Sequence, residues 1–225
     1  MYRKSLYDQI CKRDRWLWAH KDKALYEADR WYTLNRVKIA SKMLKDFSKS
    51  LLDVGCGDGD FLAGATQFSL KVGFDISLDR LKYAQKVCPE ASFVAGDAYK
   101  LPFRDHSFEV VSSQELLEHL EDTTTFLSEL HRVSSLIVFL STPNASFLPP
   151  DGIEHVKGFK PKEILDLLNE SFKVLDKRGN IPGIFNILLR NPASLPVFQE
   201  KGENWDERPD SFENCTQMFL LLEKK

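Results

Sequence analysis

Short apolar runs alternate with segments of helical periodicity along most of the chain. The runs predict strands at Ser50–Gly55, Lys71–Ile76, Ser92–Gly96, Phe108–Ser113, Leu136–Ser141, Phe172–Arg178 and Thr216–Glu223. Helical spacing predicts helices at Asp60–Phe68, Leu78–Val87, Glu115–Leu120, Thr123–Val133 and Lys160–Asn169. Because apolar strands that alternate with helices are buried on both faces, this pattern predicts an α/β, doubly wound, mostly parallel sheet.

Residues 1–47 precede the alternating pattern and contain neither Gly nor Pro. They predict two helices, at 5–28 and 30–47, and the second has apolar residues at helical spacing from Trp31 to Phe47. We predict that 1–48 form a helical extension or lid and that 49–225 form the main domain. The aromatic side chains of the first helix either pack on the core or close over a substrate pocket.

The composition excludes several classes of protein. At 43% hydrophobic and 28% charged residues, with a net charge of -2, the chain has no general attraction for nucleic acid or an anionic membrane. The four cysteines form no CxxC pair, and no apolar run approaches the ~18 residues of a membrane-spanning helix. We therefore expect a cytoplasmic protein without a transmembrane segment. The oligomeric state stays open.

The stretch SLLDVGCGDGD, at 50–60, is the most informative motif. An apolar strand leads into glycines at Gly55, Gly57 and Gly59, as a sharp turn that brings backbone close to a ligand requires. The spacing fits neither the dinucleotide fingerprint G-x-G-x-x-G nor the phosphate-binding P-loop. It fits D-x-G-x-G-x-G, which resembles motif I of the class I S-adenosylmethionine-dependent methyltransferases.

Later residues agree with this resemblance. Asp75 lies 20 residues beyond Gly55, where a carboxylate can accept hydrogen bonds from both ribose hydroxyls, and Asp97 follows the third strand, near the expected adenine. The resemblance implies a Rossmann-like, seven-stranded sheet in the order 3-2-1-4-5-7-6 with strand 7 antiparallel. It also implies an S-adenosyl-L-methionine pocket, lined by Asp53, Gly55, Cys56, Gly57, Asp75, Ile76, Asp97, Ala98 and Gln114.

A second group of polar residues follows the fourth strand. Glu115, Glu118 and His119 are spaced as on one helical face, and His155 lies in a loop expected over the same cleft. Two carboxylates and two imidazoles suit a divalent cation such as Mg²⁺, Mn²⁺ or Zn²⁺. Alternatively, the Glu-His pair only caps the helix and the loop histidine is solvated.

Two families resemble this part of the chain. ELLEH and HVKGFKPKEI are similar to the ubiquinone-biosynthesis O-methyltransferases, the nearest in motifs. E-x-x-E-H and TPN also occur in the small-RNA 3′-terminal 2′-O-methyltransferases. Both resemblances imply a metal site at Glu115, Glu118, His119 and His155.

The expected function is methylation of a small hydroxylated molecule by in-line transfer. SSQE stands after the fourth strand, where many relatives that methylate base or amide nitrogen carry NPPY or DPPY. This favours an oxygen acceptor and leaves carbon or a simple amine as alternatives. Without a metal, His119 or His155 is the expected catalytic base. Methylation of an RNA 3′ end, which the mild acidity does not favour, and a non-catalytic cofactor-binding partner subunit are the alternatives.

Overall fold

The structure is a computed structural model that describes residues 36–146, 155–180, 212–213 and 215–225. Its seven strands form one sheet in the order β3-β2-β1-β4-β5-β7-β6. The strands are β1 (Ser50–Val54), β2 (Leu70–Asp75), β3 (Ser92–Ala95), β4 (Phe108–Gln114), β5 (Ser134–Pro143), β6 (Phe172–Gly179) and β7 (Gln217–Lys224). β7 runs antiparallel to both β5 and β6, and the other neighbours are parallel. The doubly wound sheet and its strand order are therefore confirmed.

The helices lie on the two faces of the sheet. They are α1 (described over 36–43), α2 (Asp60–Gly64), α3 (Leu78–Val87), α4 (Thr123–Val133) and α5 (Pro161–Leu168). The side chains of Ser77 and Asp122 accept hydrogen bonds from the first-turn backbone N–H groups of α3 and α4. These N-caps satisfy donors that have no partner inside a helix and so fix where both helices begin.

Two hydrophobic cores alternate along the strands, as expected for a sheet buried on both faces. In β4, Val111 belongs to the core that includes α4 and α5, while Val110 belongs to the core on the opposite face. The second core also contains Ile39, Ala40, Met43 and Leu44 from α1 and the turn that follows it. The described part of the second predicted helix is therefore packed on the sheet. The first predicted helix, at 5–28, lies outside the described residues.

Two of the predicted helices are wrong in extent. The segment predicted as Asp60–Phe68 is helical only to Gly64, because the chain turns there to pair Ser69 N–H and Leu70 N–H with backbone carbonyls before β1. The segment 115–120 contains only a 3₁₀ turn at Leu117–His119. Glu115 has a left-handed φ of 53°, because its N–H still donates to Ser141 O of β5, at 3.0 Å. Glu115, Glu118 and His119 therefore do not share one helical face.

Candidate functional site

The turn after β1 is built from backbone that only glycine adopts easily. Gly55, Gly57 and Gly59 have φ values of 79°, 54° and 84°. A Cβ on Gly59 would lie 3.0 Å from Ala84 Cβ and 3.2 Å from Ala84 Cα, so the close packing against α3 also disfavours a side chain there. The N–H groups of Gly55 and Cys56 donate to Phe74 O at 2.7 and 3.1 Å, which ties the turn to β2. The turn thus brings its backbone to the carboxyl edge of the sheet.

Asp75, the last residue of β2, stabilises this turn by accepting hydrogen bonds from backbone N–H groups. Its Oδ2 accepts from Gly57 N–H at 2.9 Å, and its Oδ1 accepts from Ser77 N–H at 2.8 Å. Burial raises the pKa of Asp75, and the two backbone hydrogen bonds oppose that rise. Because each carboxylate oxygen can accept more than one hydrogen bond, Asp75 retains acceptor capacity for the hydroxyl groups of a ligand.

Asp53 is buried inside β1 with fewer hydrogen bonds. Ser112, its neighbour on β4, donates to Asp53 Oδ1 at 2.6 Å, and Gln114 Nε2 donates to Ser112 Oγ at 3.3 Å. Burial raises the pKa of Asp53 to about 7, while Ser112 and the charge of Arg36 act in the opposite direction. The cleft therefore contains a carboxyl group that titrates near neutral pH.

The other predicted cofactor residues lie along the same edge. Ile76 follows β2 and is half-buried, while Asp97 and Ala98 follow β3. Asp97 Oδ1 accepts from Tyr99 N–H at 2.9 Å, so this carboxylate also shapes a turn. Cys56 is buried, and burial raises the pKa of its thiol, so it lines the site as a neutral group. All nine predicted residues thus lie at the carboxyl ends of β3, β2, β1 and β4, where open α/β sheets bind ligands.

Two buried oxygens at this edge support a ligand site. Asp58 Oδ1, in the glycine turn, and Gln114 Oε1, at the end of β4, have no hydrogen-bond partner within the described ranges. A buried acceptor without a donor is costly, and a ligand with hydroxyl and amino groups would satisfy both. The residues present therefore fit a polar cofactor such as S-adenosylmethionine.

Glu118, His119 and His155 come together at the carboxyl end of β4. One ligand atom from each lies within 4.8 Å of the other two. Glu118 Oε1 is 3.9 Å from His119 Nε2, and the two imidazole rings pack edge to face with their centroids 5.0 Å apart. Glu118 is only 2% exposed, whereas both histidines are half-buried. The trio combines a buried carboxylate with two accessible imidazoles.

Backbone hydrogen bonds hold the His155 segment over this turn. Lys157 N–H donates to Glu118 O at 3.1 Å, and Ala145 N–H, just after β5, donates to Phe159 O at 2.9 Å. The segment is thus attached to the 3₁₀ turn on one side and to the end of β5 on the other. These two contacts place His155 beside His119, although 36 residues separate them in the sequence.

Glu115 lies outside the trio but acts on it electrostatically. Ser141 Oγ donates to Glu115 Oε1 at 2.9 Å, and Thr142 Oγ1 donates to Glu118 Oε2 at 3.1 Å. Burial, with the charge of Glu115 nearby, raises the pKa of Glu118 well above its usual value, although the Thr142 hydrogen bond and Arg36 oppose this. The site therefore disfavours two carboxylate charges together.

Sequence reasoning missed the side chains that support these carboxyl groups. Ser112 contacts Asp53, and Thr142 contacts Glu118. Both are polar residues near the carboxyl ends of strands that are otherwise apolar, and this position is the signal that could have identified them. Tyr99, which binds the chain beyond the 3₁₀ turn, carried no comparable signal.

Comparison with known proteins agrees with the geometry. Residues 52–135 match the family described as a methyltransferase domain. Ajmaline N-methyltransferase of Rauvolfia serpentina is 32% identical over 177 residues, which are 72% of this chain and 56% of that protein. Demethylmenaquinone methyltransferase of Chlorobaculum tepidum is 36% identical over 108 residues, which are 47% of this chain and 45% of that protein. The chain thus spans about half the length of these relatives.

A solved structure aligns with this one and has the same fold. The S-adenosylmethionine-dependent methyltransferase of Thermotoga maritima aligns with a TM-score of 0.70 and 17% identity, over 98% of this chain and 99% of that one. Among the described residues, no helix is long and apolar enough to cross a membrane. The family match, the sequence relatives and the fold agree: residues 52–135 belong to a methyltransferase domain, and the sheet has the fold of an S-adenosylmethionine-dependent methyltransferase.

Proposed function

We propose that this protein transfers the methyl group of S-adenosylmethionine to an oxygen of a small molecule. The observation that carries the proposal is the trio Glu118, His119 and His155, which stands at the same edge of the sheet as the glycine turn. A methyl donor in the turn and an acceptor at the trio would be neighbours. Catalysis would then consist chiefly of holding the acceptor oxygen in line with the sulfonium methyl.

The cofactor would be held from three neighbouring strands. Asp75 would accept from the ribose hydroxyls, Asp97 from the adenine amino group, and the turn at Gly55–Gly59 would leave room for the methionine part. Ile76 and Ala98 would line the adenine, and Asp53 and Gln114 would lie under the methionine part. What supports this assignment is the position of every one of these residues at the carboxyl ends of β3, β2, β1 and β4.

A divalent cation fits the trio. Atoms bound to one ion at about 2.0–2.2 Å can be at most about 4.4 Å apart, so separations of up to 4.8 Å need only a small side-chain adjustment. A cation would also relieve the repulsion between Glu115 and Glu118 that raises the pKa of Glu118. When bound, it would lower the pKa of an acceptor hydroxyl. Glu118, His119 and His155 would be its ligands, with Glu115 placed to neutralise charge nearby.

Without a cation, an imidazole of the trio would take the proton of the acceptor hydroxyl. His119 and His155 are both half-buried and could contact an acceptor, and Glu118 Oε1, 3.9 Å from His119 Nε2, could orient that ring after a small side-chain adjustment. A base of this kind serves a hydroxyl, because a neutral amine attacks a methyl group before it loses a proton. The trio therefore favours oxygen over nitrogen as the acceptor atom.

The names of the relatives do not decide the acceptor atom. Ajmaline N-methyltransferase is named for nitrogen, so an amine acceptor stays an alternative for this chain, although it contains neither NPPY nor DPPY. The net charge of -2 gives little support to an RNA acceptor. Cytoplasmic location and the non-catalytic partner role stay predictions, the latter as the alternative to catalysis.

A transfer assay with methyl-labelled S-adenosylmethionine tests the proposal. The acceptors should be panels of phenols and aliphatic diols, matched amines, and an RNA with a free 3′ end, each with and without a chelator. We expect label on a hydroxyl compound, at least about tenfold less with His155→Ala, and no change with His106→Asn. His106 is a suitable control because it lies beside Ser134, at the start of β5, and has a φ of 57° that Asn tolerates.

Three results would contradict parts of this proposal. Label only on amines would exclude the oxygen acceptor, and label only on RNA would support the alternative substrate. Full activity in excess chelator would exclude the cation and leave His119 and His155 as the candidate bases. Cofactor binding without transfer to any acceptor would favour the partner-subunit role.

A further inference from the structure

The phenol oxygen of Tyr99 accepts two backbone hydrogen bonds from the chain beyond the 3₁₀ turn. Glu121 N–H donates to Tyr99 Oη at 3.0 Å, and Asp122 N–H donates to the same oxygen at 3.2 Å. Both N–H groups precede α4, so neither has a partner within that helix. The Tyr99 ring is half-buried against the core that includes α4, and this fixes where the oxygen stands. Tyr99 therefore determines the path of the chain between the turn and α4.

The backbone of the same residue is bound to the predicted adenine ligand. Tyr99 N–H donates to Asp97 Oδ1 at 2.9 Å, and Lys100 N–H donates to Asp97 O at 3.0 Å. Any shift of the Asp97 carboxylate toward a bound adenine would therefore act directly on the backbone of Tyr99. The other oxygen of Asp97 is the one available to the adenine amino group.

The hydrogen-bonded amides lie close to the trio along the chain. Glu121 follows His119 by two residues, and Asp122 caps α4 through its contacts with Thr125. The turn that carries Glu118 and His119 is thus held at its exit by Tyr99. It is held at its middle by the hydrogen bond from Lys157 N–H to Glu118 O. Tyr99 thus connects the adenine end of the cleft with the residues that directly follow this turn.

We propose that Tyr99 is a positioning residue that couples occupation of the adenine site to the conformation of the turn that carries Glu118 and His119. The inference rests on the proposed function, because it takes Asp97 as the adenine ligand. It goes beyond that function in one respect: cofactor binding at Asp97 comes first and fixes the conformation of the turn at which the acceptor then reacts. Phenylalanine would keep the ring and its packing but would remove the acceptor of both hydrogen bonds.

Hydrogen exchange on the full chain tests this coupling. Exchange at residues 115–126 is measured with and without saturating S-adenosylhomocysteine, in wild type, in Tyr99→Phe and in Tyr83→Phe. Tyr83 is a matched control because it lies half-exposed on α3, away from the turn. In wild type and in the control, the ligand should slow exchange at Glu121 and Asp122 by about threefold or more. In Tyr99→Phe that protection should disappear while the ligand still binds.

Calorimetry on the same proteins separates the outcomes. If wild type does not bind S-adenosylhomocysteine, the cofactor proposal fails and this inference fails with it. If wild type binds but shows no protection at Glu121 and Asp122, the coupling is refuted whatever the variant does. Equal protection in wild type and Tyr99→Phe also refutes it. Loss of ligand affinity by more than about tenfold in Tyr99→Phe would make Tyr99 part of the cofactor site rather than a positioning residue.

Discussion

Two buried aspartates at the carboxyl edge show how hydrogen bonding decides the state of a carboxyl group. Asp53 and Asp75 are each 3% exposed. Asp75 accepts from two backbone N–H groups, whereas Asp53 accepts from the Ser112 hydroxyl. Burial penalises the charged form of a carboxyl group, and hydrogen bonds stabilise that form. The number of donors therefore decides how far burial raises the pKa of each aspartate. Asp75 is thus equipped to act as an acceptor, and Asp53 changes its charge near neutral pH.

Asp75→Ala should weaken the binding of S-adenosylhomocysteine. The substitution removes an acceptor for the ribose and also frees Gly57 N–H and Ser77 N–H, at about 1.5–3 kcal/mol for each charged hydrogen bond. Calorimetry should show affinity lower by about tenfold or more. Asp79→Ala, four residues on and half-exposed, should bind as the wild type does. Equal affinity in wild type and Asp75→Ala would contradict the ribose role.

Asp53→Asn should change the pH dependence of stability. Because the folded pKa is raised from 3.8 to about 7, the folded state keeps a proton that the unfolded chain releases, so wild type loses stability as the pH rises through this range. The asparagine variant has no proton to lose at this position, so it does not lose stability in this way as the pH rises. Its stability relative to wild type should rise between about pH 4 and 7 and then level off, with a limit on the order of 4 kcal/mol.

Urea unfolding of the ligand-free protein at several pH values measures this difference. A difference between Asp53→Asn and wild type that stays constant from pH 4 to pH 8 would show that Asp53 does not titrate in that range in the folded state. A difference that falls with pH would show that the carboxyl group is stabilised in its charged form.

At the scale of elements, the sequence predicted the existence of strands and helices better than their ends. The segment 115–120 carried a helical spacing, yet the ladder between β4 and β5 continues through Glu115 and leaves room only for a 3₁₀ turn. A cross-strand hydrogen bond of this kind has no signature in local periodicity. The proximity of His155 to His119 likewise depends on backbone contacts by Lys157 and Phe159, which no side-chain pattern reveals.

Lys157→Pro should loosen the segment that carries His155. Proline has no N–H, so the variant loses the hydrogen bond to Glu118 O, which is 3.1 Å long. Isothermal titration with Mn²⁺ should show about tenfold weaker binding at the trio, while S-adenosylhomocysteine affinity stays near that of wild type. Lys157→Ala is the matched control, because it also loses the Nζ contact with Thr123 but retains the backbone N–H. Identical Mn²⁺ binding by the two variants would show that this hydrogen bond does not position His155.

At the scale of the whole molecule, the alternation of apolar runs and helices predicted a doubly wound, mostly parallel sheet, and the family resemblance supplied its strand order. The central strands β1, β2, β4 and β5 are mostly buried, so their patterns are nearly continuous and apolar, and the helices between parallel strands leave one right-handed way to connect them. The D-x-G-x-G-x-G motif then located the cleft. Its glycines Gly55, Gly57 and Gly59 all have left-handed backbone, which other residue types rarely adopt. The sheet and the glycine turn do not determine which molecule accepts the methyl group, and for that reason the sequence did not identify the acceptor.

The division into an extension at 1–48 and a domain at 49–225 stays a prediction. Helix α1 packs through Ile39 and Met43 on the same core as Phe61, so this part of the extension contributes to the fold. If the residues before it form a lid, deletion of 1–28 should lower the turnover of an identified acceptor by more than about tenfold. Cofactor affinity should be nearly unchanged. Unchanged turnover in a folded truncation would exclude the lid, and unfolding would show that the first helix packs on the core.

The most direct test of methyl transfer at the trio is a crystal structure with S-adenosylmethionine bound. The ribose hydroxyls should lie within hydrogen-bond distance of Asp75. The methyl carbon should face Glu118, His119 and His155, about 5–6 Å from the nearest ligand atom, because one acceptor oxygen must fit between at about 3 Å from each side. A methyl carbon that points away from the trio, or lies more than about 10 Å from all three side chains, would contradict the proposed site.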